Sequence, residues 1–72
     1  GAGMNIGIVG AGMIGGTLAR LLTQHGYQVA VSNSRGPESL KALVDELGTN
    51  ARAMSVDEAA RWSDVVILAV PW

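Results

Sequence analysis

Ile6-Gly7-Ile8-Val9-Gly10-Ala11-Gly12-Met13-Ile14-Gly15 is the stretch that decides the fold of this 72-residue chain. Its first four residues are a short apolar run rich in β-branched side chains, which predicts a buried strand ending at Gly10. After the glycines, apolar residues recur at helical spacing and predict the buried face of an amphipathic helix: Ile14, Leu18, Leu21 and Leu22. A G-x-G-x-x-G pattern between a strand and a helix is typical of a dinucleotide-binding turn.

Each glycine of the pattern has a separate physical purpose in such a site. Gly10 allows the tight turn, Gly12 lets a pyrophosphate approach the backbone, and Gly15 lets the helix pack closely on the strand. The N–H groups of Ala11 through Ile14 are expected to face the phosphates, aided by the positive end of the helix dipole. The alternative is a glycine-rich turn without a ligand, and the strand-turn-helix context favours the binding site.

The rest of the chain continues the alternation of strands and helices. The pattern predicts a strand at 27–31, a helix from Pro37 to Leu47, a strand at 51–54, a helix at 55–62 and a strand at 65–70. Ser55 and Glu58 fit a capping box at the start of the last helix. The order β-α-β-α-β-α-β predicts an α/β fold with a parallel sheet, right-handed crossovers and helices on both faces. It corresponds to half of a doubly wound sheet, with strand order 3-2-1-4.

The two ends of the chain carry further expectations. Residues 1–3, Gly1-Ala2-Gly3, are typical of an expression scar, so we assign the domain to 4–72. The run at 65–70 is continuously apolar, as in a strand covered on both faces, and it is too apolar for a solvent-exposed edge. We therefore expect the N-terminal part of a longer parent, or a homo-oligomer formed through this last strand.

Composition excludes several classes of protein. With 49% hydrophobic and 15% charged residues, the chain is too apolar for a disordered segment. Its longest apolar run, Val65 to Trp72, is too short to span a bilayer. No cysteine and a single histidine argue against a metal site. A net charge of −1 gives no electrostatic reason to bind nucleic acid or an anionic membrane. We expect a soluble, cytoplasmic domain.

The end of the second predicted strand indicates which dinucleotide is bound. NAD sites usually place an acidic residue there to bind the adenine ribose, whereas this chain reads Ser32-Asn33-Ser34-Arg35 without a carboxylate. A guanidinium beside amide and hydroxyl donors favours the 2′-phosphate of NADP(H). The alternative is that Arg35 is a solvated loop residue. The sequence contains no nucleophile–base pair and no paired carboxylates, so we assign no catalytic residue.

Three segments together resemble a known family. They are Met4 to Gly15, Ser32-Asn33-Ser34-Arg35-Gly36-Pro37-Glu38-Ser39-Leu40, and Val66 to Trp72. These residues resemble the NADP-binding, Rossmann-like domain of the coenzyme F420-dependent NADP oxidoreductases. The resemblance implies hydride transfer between NADP(H) and a deazaflavin, coenzyme F420, or another small acceptor. It implies that Gly10 through Ile14 contact the pyrophosphate and that Asn33, Ser34 and Arg35 contact the 2′-phosphate. It also implies that Ala69, Val70 and Pro71 approach the ribose next to the nicotinamide.

Other functions remain open from sequence. A relative of pyrroline-5-carboxylate reductase or of the β-hydroxyacid dehydrogenases would begin with similar glycines and a polar end of the second strand. A non-catalytic dinucleotide-binding module is a third possibility, and flavin binding is less favoured because it would leave Arg35 without a 2′-phosphate. Full members of the resembled family carry further strands, so we expect the 72 residues alone to show no turnover.

Overall fold

The computed structural model describes residues 3–10 and 12–69, in which strands and helices alternate in the predicted order. The strands are β1 (Asn5–Val9), β2 (Gln28–Ser32), β3 (Ala51–Ala53) and β4 (Val65–Leu68). The helices are α1 (Met13–Gln24), α2 (Lys41–Leu47) and α3 (Val56–Trp62), and a 3-10 helix at Pro37–Leu40 precedes α2. No helix in these described ranges is long and apolar enough to cross a membrane.

The four strands form one parallel sheet in the order β3-β2-β1-β4, which confirms the predicted topology. Ile8 of β1 lies opposite Val31 of β2 on one side and Ile67 of β4 on the other. β2 and β4 lie on either side of β1. The connection from β1 to β2 therefore runs toward one edge of the sheet, and the connection from β3 to β4 runs back toward the other edge. In doubly wound sheets a crevice opens at such a point, beyond the carboxyl ends of the strands.

The side chains of the central strands alternate between two packed layers. Ile8, Val29 and Val31 are fully buried in a core that includes Ala19 of α1 and Leu40. On the opposite face, α3 packs against β1 and β2. There is no room for a side chain at Gly7, where a Cβ would clash with the hydroxyl of Ser63. Together, the two layers hold the carboxyl ends of β1 and β2 in place.

The buried face of α1 differs from the predicted one. Ile14 and Leu21 are exposed, whereas the buried residues of the helix are Gly15, Ala19 and Thr23. The prediction of a leucine-rich buried face was therefore wrong in its orientation. The physical reason is the close approach of Gly15 to the Gly10 carbonyl, which turns the stripe of small residues toward the sheet. Leu18 and Leu22 then pack at the margin of the core.

The last strand is not covered on both faces, contrary to the expectation from its apolar run. Val65 and Val66 are each 43% exposed and Leu68 is 70% exposed. The reason is that α3 lies over β1 and β2 rather than over β4. Within the described residues, β4 pairs with β1 alone and forms one edge of the sheet.

The predicted helix at 37–47 is divided into two parts. Residues 37–40 form a 3-10 helix and only 41–47 are α-helical. The N–H and hydroxyl of Ser39 both donate to the Gly36 carbonyl, at 3.2 and 2.8 Å, which favours the tighter winding. Elsewhere, β2 lies one residue later than predicted and β3 ends at Ala53. Both the helix end before Gly48 and the capping box of Ser55 with Glu58 are confirmed.

Candidate functional site

The carboxyl ends of three strands meet around Gly10. Its φ is 93°, a conformation that favours glycine, and it ends β1 in a sharp turn. Its N–H donates to the Ser32 carbonyl at 2.7 Å, and the Val9 carbonyl accepts from the Ala69 N–H at 2.8 Å. These two bonds tie the ends of β2, β1 and β4 together, so the glycine turn starts from a rigid base.

Gly12 and Gly15 stand in opposite environments. A Cβ at Gly15 would clash with the Gly10 carbonyl oxygen and would lie 3.5 Å from the Ala69 side chain. Among the described residues other than its chain neighbours, a Cβ at Gly12 would meet no atom within 4 Å. The space next to Gly12 is therefore open, while the space next to Gly15 is filled by the turn itself.

The N-terminus of α1 presents free hydrogen-bond donors at this open space. Gly12 is the N-cap residue and has no side chain to cap the helix, and its carbonyl accepts from the Gly16 N–H at 2.9 Å. The N–H groups of Met13, Ile14 and Gly15 lie in the first turn, where no carbonyl of the helix can reach them. The first turn also contains no acidic side chain. Such an end attracts an anion.

A second loop, which follows β2, makes a sharp turn at 33–36. The Gly36 N–H donates to the Asn33 carbonyl at 3.4 Å, and Gly36 has a φ of 100°. Ser34 and Arg35 occupy the corner of this turn and are exposed. Within the described ranges, no carboxylate forms an ion pair with Arg35.

The side chain of Asn33 is engaged inside the loop. Its Oδ1 accepts from the backbone N–H groups of Arg35 at 3.1 Å and Gly36 at 3.0 Å. Its Nδ2 donates to the Ser39 hydroxyl at 3.0 Å. Sequence reasoning assigned no function to Ser39. No spacing rule pointed to it, because the contact depends on how the chain turns at Gly36.

One cavity of about 480 Å³ joins the two loops. Of the residues singled out from sequence, it brings together Gly12, Asn33, Ser34 and Arg35. Among the described residues of its lining, Arg35 alone is charged, so the cavity suits an anionic ligand. Lining residues that the sequence did not indicate are Gly16, Ser39, Leu40, Ala42 and Leu43.

The other predicted site residues that the structure describes do not line this cavity. Met13 and Ile14 project toward solvent, 91% and 63% exposed, beside a smaller apolar hollow of about 340 Å³. Gly10 and Gly15 form the turn, and Ala69 lies buried beside them. Ala11, Val70 and Pro71 lie outside the described residues.

The sequence matches the model of one protein family over residues 5–72. That family is described as NADP oxidoreductase, coenzyme F420-dependent. A comparison with curated proteins finds no significant match.

Three solved structures share both fold and sequence with the chain. A hypothetical protein from Sinorhizobium meliloti is 34% identical with a TM-score of 0.78, and the match covers 90% of this chain and 32% of that protein. An imine reductase from Pseudomonas sp. is 38% identical with a TM-score of 0.74, and the match covers 90% of this chain and 22% of that protein. A protein from Pyrococcus horikoshii is 37% identical with a TM-score of 0.71, and the match covers 97% of this chain and 20% of that protein. The chain thus spans between a fifth and a third of the length of these proteins.

Proposed function

The chain belongs to the family of coenzyme F420-dependent NADP oxidoreductases, and from this premise we propose that it binds NADP(H) for hydride transfer with a small acceptor. The observation that carries the proposal is the shared cavity. One side is the glycine turn at the start of α1, and the other is the exposed guanidinium of Arg35. A dinucleotide with an additional phosphate on its adenosine ribose needs both features.

The glycine turn fits a pyrophosphate. Open space at Gly12 lets the two phosphates approach the backbone, and the N–H groups of Met13 and Ile14 are free to donate to them. Gly15 contributes indirectly, because it brings α1 close enough to the turn for these donors to converge. In this proposal Gly10 through Ile14, with Ala11 included, hold the pyrophosphate.

The loop after β2 fits the 2′-phosphate. Arg35 and Ser34 are exposed at the corner of the turn and line the cavity, and its described lining residues include no carboxylate that would repel a phosphate. An NAD-specific site would need an acceptor for the ribose hydroxyl at this position. Asn33 offers its Oδ1 to two backbone N–H groups instead.

When bound, the nicotinamide supplies the hydride chemistry, and the protein orients it and excludes water. We place Ala69, Val70 and Pro71 on the nicotinamide side of the site. Ala69 supports this placement because its N–H is bonded to Val9 beside the glycine turn. The name of the family supports a deazaflavin, coenzyme F420, as the acceptor.

A second candidate acceptor is an imine. The structure of an imine reductase that is 38% identical over 90% of this chain favours it. Mixing the NADPH-loaded chain with a deazaflavin or with a cyclic imine separates the two candidates. NADPH consumption with only one of them identifies that acceptor and would also overturn the expectation that the 72 residues alone show no turnover.

The cofactor assignment is tested by calorimetric titration with NADPH and NADH. We expect NADPH to bind more tightly, and Arg35→Ala to weaken NADPH binding by about ten- to a hundredfold while NADH binding is unchanged. Arg61→Ala is the matched control, because it removes an exposed arginine from α3, which packs on the other face of the sheet. Equal affinities for the two nucleotides in the unaltered chain would contradict the proposal.

A further inference from the structure

We propose that Asn33 and Ser39 form a brace that positions Arg35, and that this brace sets the preference for NADP(H) over NAD(H). The inference rests on the proposed function and assigns to Asn33 a different task from direct phosphate binding. It also adds Ser39, as a positioning residue, to the site.

The hydrogen bonds of Asn33 show that its carboxamide is largely occupied. Oδ1 has two lone pairs, and the N–H groups of Arg35 and Gly36 take both of them. One Nδ2 hydrogen is donated to the Ser39 hydroxyl at 3.0 Å. At most one N–H remains for a ligand, so the main task of Asn33 lies within the loop.

Ser39 holds the carboxamide in this orientation. Its hydroxyl accepts from Asn33 Nδ2 and has two acceptors for its own hydrogen, the Gly36 carbonyl at 2.8 Å and Asn33 Oδ1 at 3.2 Å. It therefore connects the carboxamide to the far end of the turn. If this hydroxyl is removed, the Nδ2 contact is lost and the carboxamide is free to rotate away from the backbone N–H groups that it restrains.

The brace acts on Arg35 through the backbone. The Arg35 N–H is bonded to Asn33 Oδ1, and in the described part of the chain no carboxylate pairs with its guanidinium. The direction in which this long side chain leaves the loop is thus set by the turn. A turn held in one conformation lowers the entropic cost of placing the guanidinium against a phosphate.

The test is a double-mutant cycle with Ser39→Ala and Arg35→Ala, with NADPH and NADH titrated into each variant. We expect Ser39→Ala to weaken NADPH binding by about three- to tenfold and to leave NADH binding unchanged. In the Arg35→Ala background the same substitution is expected to have no further effect. Thr49→Val is the control, because it removes an exposed hydroxyl from the turn before β3, at the amino end of the parallel strands, whereas the loop with Ser39 follows the carboxyl end of β2.

Several outcomes would overturn the brace. If the two substitutions weaken NADPH binding additively, Ser39 touches the phosphate itself. If Ser39→Ala weakens NADPH and NADH binding equally, its role is purely structural.

Two further variants test the brace. Ser39→Thr retains the hydroxyl and is expected to keep the native ratio of NADPH to NADH affinity. Asn33→Asp retains the two backbone contacts and adds a negative charge, so NADPH binding is expected to fall selectively while the chain stays folded. Failure of Arg35→Ala to affect NADPH binding would instead refute the proposed function.

Discussion

At the residue scale, Gly12 and Gly15 show that two glycines of one motif have different structural roles. The space at Gly12 is open, whereas the space at Gly15 is occupied by the Gly10 carbonyl. A methyl group at Gly12 would therefore reach only the region proposed for the pyrophosphate. At Gly15 the same methyl group would push α1 away from the turn.

This difference predicts that alanine at Gly12 affects mainly nucleotide binding, whereas alanine at Gly15 affects mainly the stability of the fold. Gly12→Ala is expected to lower thermal stability only slightly, because alanine is a poorer N-cap than glycine, and to weaken NADPH and NADH binding alike, because both carry the pyrophosphate. Gly15→Ala is expected to destabilise the fold by about 1–3 kcal/mol through overpacking. Circular dichroism melting and calorimetric titration of both variants check the prediction.

Gly16→Ala is the control for the folding effect. A Cβ there would lie 3.9 Å from Leu43, an ordinary contact, and alanine favours the helix interior. We expect this variant to be at least as stable as the unaltered chain. Greater loss of stability in Gly12→Ala than in Gly15→Ala would contradict the packing argument.

At the element scale, α3 begins with a capping box that responds to pH. The Ser55 hydroxyl accepts from the Glu58 N–H at 3.1 Å, and the Glu58 carboxylate accepts from the Ser55 N–H at 3.1 Å. The bond from the Ser55 backbone lowers the pKa of Glu58 below its ordinary value of 4.5, and the Ser55 side chain adds to this. The ionised form is thus favoured in the folded state.

A lowered pKa in the folded state means that ionised Glu58 stabilises the fold above its unfolded pKa and loses this effect as the pH falls through the folded pKa. We therefore expect stability to fall on acidification below about pH 4.5, with a smaller fall in Glu58→Gln. Glutamine preserves the capping geometry without the charge. Thermal unfolding of both chains between neutral and acid pH measures the difference. If the stability of the two chains depends on pH in the same way, ionisation of Glu58 is not the cause of the loss of stability in acid.

At the scale of the whole molecule, β4 forms one edge of the sheet in the described part of the chain. Its apolar residues Val65, Val66 and Leu68 are exposed, and unpaired strand edges of this kind pair with other chains. Self-association through this strand stays a prediction. A lysine on an edge strand blocks such pairing. We expect sedimentation to show concentration-dependent association that Leu68→Lys reduces.

Leu21→Lys provides the matched control for this edge. Leu21 is exposed and apolar too, but it lies on α1 and offers no strand to pair. A monomer at all concentrations in the unaltered chain would contradict the prediction. An equal effect of Leu21→Lys would indicate nonspecific apolar contact instead of strand pairing.

The sequence by itself determined the alternation of elements, the strand order and the glycine turn. These depend on local signals, since periodicity, caps and glycine positions act within a few residues. The handedness of crossovers then leaves a handful of arrangements, of which 3-2-1-4 is the usual order in half of a doubly wound sheet. The helix end before Gly48 and the cap at Ser55 were predictable for the same reason.

Only the tertiary structure decided which face of α1 is buried, that Ser39 bonds to Asn33, and that β4 stays exposed. Each depends on contacts between segments distant in space or on the path of a loop. Helical periodicity located an apolar face at Ile14, but the backbone contact of Gly15 with Gly10 turned the small residues inward. Close backbone packing therefore outweighed side-chain hydrophobicity at the point where the candidate site is built.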